Sequence, residues 1–431
     1  MREMKDSGLK WIGKIPSSWN VMHNKYLMKK KKVICPVYKG EDILSLTMKG
    51  VIVRDLNAGG KMPTSFDGYQ RLESGNLLMC LFDIDVTPRC IGLIKQAGLS
   101  SPAYSQFELN DIGNAEYYCY YYIMLDDDKT LLHLAKNLRH SLTEEQLGTI
   151  SVIVPPVQEQ KRIASFLDSK CAEIDALATD IQAQIETLEQ YKRSIISETV
   201  TKGLNPNVQM KDSGIEWIKK IPEEWDVNRI KYLFKSTKGL SITKENLIEE
   251  GLPVISYGQI HSKMNTGVTV DDDLCRFVSY DYSKYKSSKI EKFDFAFADT
   301  SEDYDGCGNC VYKRTDGELY GGYHVVILKS VNKKDNRYFA YLFQTDAWRA
   351  QIRTKVSGIK VYSITQKIIN EASVIIPPVQ EQEAISNFLD TKCSEINEII
   401  MKRKEQLEVL NEYKKSLIYE YVTGKKEVPE I

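Results

Sequence analysis

The sequence predicts an α+β protein made from one unit used twice, each unit a mixed α/β domain followed by a long helix. Three observations predict it. A leading segment recurs at one fixed offset, and a second, helix-like block recurs at another. Between them lie short apolar runs bounded by Gly, Asp, Asn or Pro, the pattern of short strands.

The leading segment reads Met4-Lys5-Asp6-Ser7-Gly8, Trp11-Ile12, Lys14-Ile15-Pro16, Trp19 and Lys25-Tyr26-Leu27. It returns 206 residues later from Met210, with 15 of 25 aligned positions identical. The block Pro155–Thr201 returns as Pro377–Thr423 at an offset of 222, with 24 of 47 positions identical. The intervening stretches, roughly residues 30–150 and 236–372, show no such match, and the second is 16 residues longer. A duplicated enzyme is expected to keep its active-site motifs alike in both copies. Here the ends repeat and the middles differ.

In the middles, strands are expected at Ile43–Leu46, Leu77–Phe82, Ile91–Lys95 and Ile150–Val154, then at Val254–Tyr257, Phe293–Ala298, Cys310–Lys313, Tyr323–Lys329 and Ala372–Ile376. Short helices are expected at Leu131–Leu138 and Asn336–Thr345. The resulting division is a domain over 1–155, a helix over 156–201, a linker over 202–209, a second domain over 210–377, a second helix over 378–424 and a tail over 425–431.

Pro155-Pro156 stops the preceding strand, because proline cannot donate to a ladder, and no Pro or Gly then interrupts Ile163 to Lys202. Ile174, Ile181, Leu188 and Ile195 fall seven apart, with Leu167, Leu177, Ile185 and Tyr191 filling a second seam. In the second copy the stripe is Ile396, Leu410 and Leu417, beside Ile399, Leu407 and Tyr413, and Arg403 stands where Ile181 does in the first. Such a stripe can be a core face of its own domain. Its length and the charged opposite face favour pairing with another helix. A helix over 157–199 would run about 64 Å, more than one such domain covers, and would act as a spacer.

Composition excludes several classes. Hydrophobic content of 42% and charged content of 27% over 431 residues are globular values. There is no apolar run of membrane-spanning length and no apolar segment behind the first residues. Nine cysteines read as reduced thiols of a cytoplasmic protein. A net charge of −1 argues against a surface coated in phosphate contacts, so any nucleic-acid surface is local or shared with a partner.

The search for catalytic motifs is negative. The chain has no Gly-rich phosphate loop with Lys-Ser/Thr, no Asn-Pro-Pro-aromatic motif and no Gly-x-Gly cofactor loop after a strand. Five histidines are scattered without metal spacing, so neither a catalytic residue nor a metal ligand is assigned. Cys307-Gly308-Asn309-Cys310 is a lone CxxC without the further ligands of a zinc site, and reads as a turn between strands. Asp83-Ile84-Asp85 and the acidic run Asp299–Asp305 read first as turn and capping residues, and second as acceptors for cytosine amino groups. Lysines at 29–32, 284, 286, 289, 292 and 313 alternate with Tyr and Ser in places, which suits phosphate contact.

The duplicated segments, among them Pro155-Pro156-Val157-Gln158-Glu159-Gln160, Phe166-Leu167-Asp168 and Tyr191-Lys192-Arg193-Ser194-Ile195-Ile196, resemble the specificity subunit of type I restriction–modification systems. Within the middles, Cys80–Arg89 looks like one type of target-recognition domain. Phe297–Asp305 with Gly321-Gly322-Tyr323-His324 looks like another. The resemblance covers almost the whole chain. It implies two target-recognition domains, each reading one half of a bipartite duplex DNA target, separated by two long antiparallel helices. It also implies two modification (M) subunits that dock on the repeated parts, and restriction (R) subunits that join them. S-adenosylmethionine, ATP and Mg would be bound by those partners, and none by this chain. The alternatives are a self-contained DNA methyltransferase or nuclease, and a coiled-coil scaffold with no nucleic-acid role. Polar loop residues beside strand ends make Lys61, Thr64, Thr87, Arg89, Tyr104 and Ser105 the expected DNA contacts of the first domain. Thr300, Ser301, Tyr304, Gly322 and His324, with Lys289 on phosphate, are those of the second.

Overall fold

The computed structural model describes residues 2–58, 63–134, 140–358 and 360–429. The chain divides into two compact units, Met1–Gln182 with Arg403–Ile431, and Ala183–Lys402. The expected boundaries at 155/156 and 377/378 mark strand-to-helix junctions. The compact units are drawn differently: each holds a domain, the first part of the helix that follows it and the last part of the other helix.

In the first unit the leading segment forms a hairpin, Met4–Asp6 against Lys14–Pro16. Asp6 accepts the Gly8 amide N–H, and Gly8 adopts a left-handed φ of 73° that a side chain would strain. Next, Asn20–His23 pairs antiparallel with Ser151–Val154, which joins the start of the domain to its end. The centre is a four-stranded antiparallel sheet in the order Met28–Lys31, Ser105–Leu109, Leu77–Met79, Ile91–Leu93. Against it packs a 13-residue helix, Ala115–Asp127, capped by the Asn114 side chain accepting from the Tyr117 amide. Tyr117, Tyr118, Tyr121 and Tyr122 are fully buried and meet edge to face. Buried hydroxyls need partners. Tyr117 donates to the Val422 carbonyl at 2.7 Å and Tyr118 to that of Ile153 at 3.0 Å.

The second unit repeats this plan. Met210–Asp212 pairs with Lys220–Pro222, and Asp226–Arg229 with Ser373–Ile376. Its central sheet has the same order and hand of pairing: Phe234–Lys238, Val325–Ser330, Phe295–Ala298, Cys310–Tyr312. The middles thus share a topology that their sequences hide. Helix Arg337–Leu342 stands where Ala115–Asp127 stands in the first unit. At an offset of 221, Tyr338 donates to the Val200 carbonyl at 2.8 Å as Tyr117 does to Val422. Tyr341 donates to Asp390 at 2.8 Å as Tyr120 does to Asp168 at 2.7 Å. The extra length falls mainly before the third strand of that sheet. The offset is 206 at Phe234 and has grown to 218 by Phe295. This unit also holds a small three-stranded sheet in which Leu252–Ile255 pairs with Arg276–Val278 and, in parallel, with Tyr320–Gly321.

The two long helices are Val157–Lys202 (46 residues) and Val379–Val422 (44 residues). Each ends on a left-handed glycine, Gly203 (φ 78°) and Gly424 (φ 70°), the usual stop for a helix. A side chain on Gly203 would meet Trp225 and Glu381, and one on Gly424 would meet Pro16 and Trp19. In the first unit the helices run antiparallel: Phe166 packs on Tyr421 at 4.5 Å, and Lys414 donates to both oxygens of Asp175 at 2.6 and 2.7 Å. In the second unit, the equivalent Lys192 donates to Asn397 at 2.8 Å.

Ile174, Ile396 and Leu417 are buried, and Ile181, Leu188, Ile195, Leu407 and Leu410 are partly buried. The second seam is split: Leu167 and Ile185 are buried as expected, but Leu177, Tyr191, Ile399 and Tyr413 are exposed, and Ile196 and Ile400 are buried instead. A helix of 3.6 residues per turn drifts about 20° per heptad, so a strict seven-residue spacing leaves the interface and its neighbours enter. One further expectation shifts. Residues 254–257 end as a strand at Ile255, and Tyr257–Ile260 turns helical. Of the helix expected at 131–138, residues 131–134 fall in helix Thr130–Leu134, and 135–138 lie outside the described residues.

Candidate nucleic-acid interface

In the second unit the candidate site gathers at one end of the central sheet. Thr300–Ser301 leaves strand Phe295–Ala298 and pairs with Tyr362–Ser363, and the rings of Tyr304 and Tyr362 meet at 5.6 Å. His324 precedes the neighbouring strand. Its Nδ1 lies 3.0 Å from Asp299 Oδ1, and the Asp299 amide donates back to the His324 carbonyl at 3.1 Å. His324 holds a φ of 58°, a left-handed conformation uncommon outside glycine. Tyr257 meets the rings of His324, Tyr323 and His261 at 5.4, 5.7 and 6.2 Å. His261 Nε2 contacts the Thr300 carbonyl at 2.8 Å and its Nδ1 the Asn309 amide at 3.0 Å. Tyr257, His261, Asn309 and Tyr323 were not among the expected contacts. The signal that could have found them is Ser256-Tyr257-Gly258-Gln259, a capping box that places an aromatic directly after a strand end.

Three expected contacts of this domain are placed differently. Ser301 is buried, and its hydroxyl donates to the Asp303 carbonyl at 2.7 Å, closing the acidic turn. Gly322 does permit close backbone approach, but to its own fold: a Cβ there would lie 2.1 Å from Ser256 Oγ, and Gly239 is pressed against its carbonyl. Lys289 is paired with Glu318 at 3.1 Å, although a third of its side chain is exposed. Lys313 is buried, donating to the Ile290 and Gly317 carbonyls, and burial lowers its ammonium pKa. Lys284 and Lys286 remain exposed.

In the first unit Phe82 stacks on Tyr104 at 6.1 Å, and Thr87 folds its hydroxyl toward the Phe82 carbonyl. Phe82 and Val86 are exposed, so this loop presents apolar and polar groups side by side. Thr64 is exposed, and Lys61 lies outside the described residues. Ser105 is buried within its strand. Arg89 is bound inward. Its side chain is 13% exposed, with the guanidinium 2.8 Å from Asp127 and 3.4 Å from Asp126, and the Asp126 side chain is 1% exposed. Asp126 also accepts from the Cys90 amide and from Lys129.

Among the described residues no group of three or more His, Cys, Asp and Glu is arranged to hold a metal ion. No helix there is long and apolar enough to cross a membrane. The two thiols of the CxxC look different ways. Cys307 contacts the Asp303 carbonyl, and Cys310 contacts Gln344. Burial pushes the Cys310 thiol up to about 12 and raises that of Cys307. The same cause takes Cys90 and Cys119 to about 12. At pH 8 a thiol at about 12 is a thiolate in roughly one molecule in ten thousand. Native protein treated with a thiol reagent at pH 8 is therefore expected to leave Cys90, Cys119 and Cys310 unmodified, while denatured protein reacts at all nine cysteines. Rapid native labelling of Cys310, read by peptide mapping, would refute this.

Two copies of one sheet-and-helix scaffold, carrying different loops at the ends of the sheet, define a duplicated α/β protein that presents two unlike sets of loops. The family described as the type I restriction modification DNA specificity domain matches residues 101–187 and 222–409. This chain belongs to that family. It is a non-catalytic subunit that supplies DNA sequence specificity and assembles with other subunits of a type I restriction–modification complex. A relative, the type I restriction enzyme MjaVIII specificity subunit of Methanocaldococcus jannaschii, is 26% identical over 280 residues. The match takes in 64% of this chain and 62% of that protein. The type I restriction enzyme EcoKI specificity subunit of Escherichia coli K12 is 22% identical over 211 residues, 48% of this chain and 44% of its own length. Among solved structures, a chain described under complex assembly and conformational transition of the type I R-M system superposes with a TM-score of 0.70. Its identity is 12%, over 96% of this chain and 99% of that one. The HsdS subunit from Thermoanaerobacter tengcongensis gives a TM-score of 0.50, also at 12% identity, over 96% and 98%.

Proposed function

We propose that the domains over 1–155 and 210–377 each read one half of a bipartite duplex DNA target, and that the long helices set the spacing and dock two modification subunits. The observation that carries this reading is the pairing of one repeated scaffold with two unlike sets of loops. Identical surfaces suit identical partners, and unlike loops suit unlike half-sites. S-adenosylmethionine, ATP and Mg belong to the modification and restriction subunits, and the assembly works in the cytoplasm, where its DNA lies. In the first domain the contacts are assigned to Thr64, Thr87 and Tyr104, with Phe82 and Val86 beside them. In the second they are assigned to Thr300, Tyr304 and His324, with Lys289 on phosphate. Arg89, Ser105, Ser301 and Gly322 support the fold behind them. The test is to express the chain with its modification subunits and map methylated adenines across the host genome. Two short motifs at fixed spacing are expected. Methylation by the isolated chain, or no bipartite motif from active modification subunits, would overturn the reading.

A further inference from the structure

We propose that His324, held by Asp299, is a specificity-determining residue of the second domain, and that its Nε2 accepts a hydrogen bond from the exocyclic amino group of adenine or cytosine in the major groove. The proposal rests on the reading above and deepens it. Four observations converge on this one side chain. The His324 backbone holds a left-handed φ of 58°, and such outliers persist only where the surroundings over-determine them. Those surroundings are present: Gly322 is packed against Ser256 and Gly239, and the Asp299 amide fixes the His324 carbonyl. The imidazole is positioned as well, by Asp299 Oδ1 at 3.0 Å from Nδ1 and by the Tyr257 and Tyr323 rings at 5.4 and 6.0 Å. Finally, the side chain is half exposed, and no partner meets Nε2 among the described residues.

The chemistry then follows from hydrogen-bond direction. A carboxylate can only accept, so Asp299 takes the Nδ1–H, and the tautomer this selects carries its lone pair on Nε2. In the major groove adenine N6 and cytosine N4 donate, whereas guanine O6 and N7 and thymine O4 accept. A fixed acceptor therefore selects an amino-bearing base and faces an acceptor on the others. Asp299 is a positioning residue, acting through the tautomer and angle of the ring.

The test uses the full chain assembled with its modification subunits and a library of random-sequence duplexes, scored for base preference at every position. His324→Ala is expected to flatten the preference at one base pair of one half-site by about 5- to 150-fold and to leave the other positions alone. His324→Gly provides the folding control, because glycine accepts the left-handed backbone while the imidazole is lost, and it should flatten the same base pair. Asp299→Asn keeps an acceptor opposite Nδ1 and should retain the preference. Asp299→Ala should broaden it at that same position. A complex in which His324→Gly keeps every preference of the wild type overturns the proposal. So does a uniform loss of affinity without a change of preference, which is the mark of a phosphate contact, and so does loss of discrimination for guanine or thymine on the contacted strand. A wild-type complex with no bipartite preference would instead defeat the reading on which the proposal rests, and the proposal with it.

Discussion

Trp225→Ala is expected to destabilise the second unit by about 3–5 kcal/mol, the range for removing a large aromatic from a packed core. Trp225 is fully buried, meets Tyr338 at a right angle at 6.2 Å, and donates its indole N–H to Glu381 at 2.8 Å. It lies where the start of one long helix, the end of the other and the leading segment meet, with Gly203 against its ring. The substitution would open a cavity and leave Glu381 without its donor. For a unit of this size the midpoint of thermal unfolding should fall by roughly 6–20 °C. Trp225→Phe should cost less, losing the hydrogen bond and part of the volume. The equivalent Trp19, fully buried and donating to Glu159 at 2.9 Å, should behave alike in the first unit. If calorimetry placed Trp225→Ala within 1 kcal/mol of the parent, the junction would not be the structural centre argued for it.

Arg89→Ala is expected to act on stability and not on sequence preference. Its removal strands Asp126, whose side chain is 1% exposed and keeps only Lys129 and the Cys90 amide. Breaking a buried ion pair from one side costs about 3–5 kcal/mol, and the remaining Lys129 reduces this to about 2–4 kcal/mol here. Denaturant unfolding of the first unit should report that loss. At temperatures where the variant is folded, its base preferences should match those of the parent. Had Arg89 read a base directly, the order would be reversed, with specificity lost at one position and stability nearly unchanged.

Arg89 also marks where sequence reading stopped. A lone arginine after an acidic loop looks like a groove contact, and only the three-dimensional position of Asp126 and Asp127, 37 and 38 residues later, reveals that it is neutralised. The same applies to Ser105 and Ser301, whose polar character is spent on strand and turn. By contrast the duplication, the long helices and the stripe through Ile174, Ile396 and Leu417 were legible, because identity and spacing are local properties of a chain. The helix Ala115–Asp127 was missed although its tyrosines at 117, 118, 121 and 122 have helical spacing. Four adjacent aromatics suit strands as well, and what decides for helix is the Asn114 cap and the hydroxyl acceptors at Val422 and Ile153. The common sheet order of the two domains was hidden for a related reason. Pairing order is fixed by which faces are buried, and many unrelated side chains satisfy that.

The lysine that ties the helices together is the same residue in both copies, but its partner is not. Lys414 meets a carboxylate, Asp175, whereas Lys192 meets the side-chain amide of Asn397. An exposed ion pair is weakened by dissolved salt, and a hydrogen bond from an ammonium to a neutral amide much less so. Raising ionic strength therefore loosens the helix pairing within the first unit in preference to that within the second. Two units alike in plan thus differ in their response to their ionic surroundings.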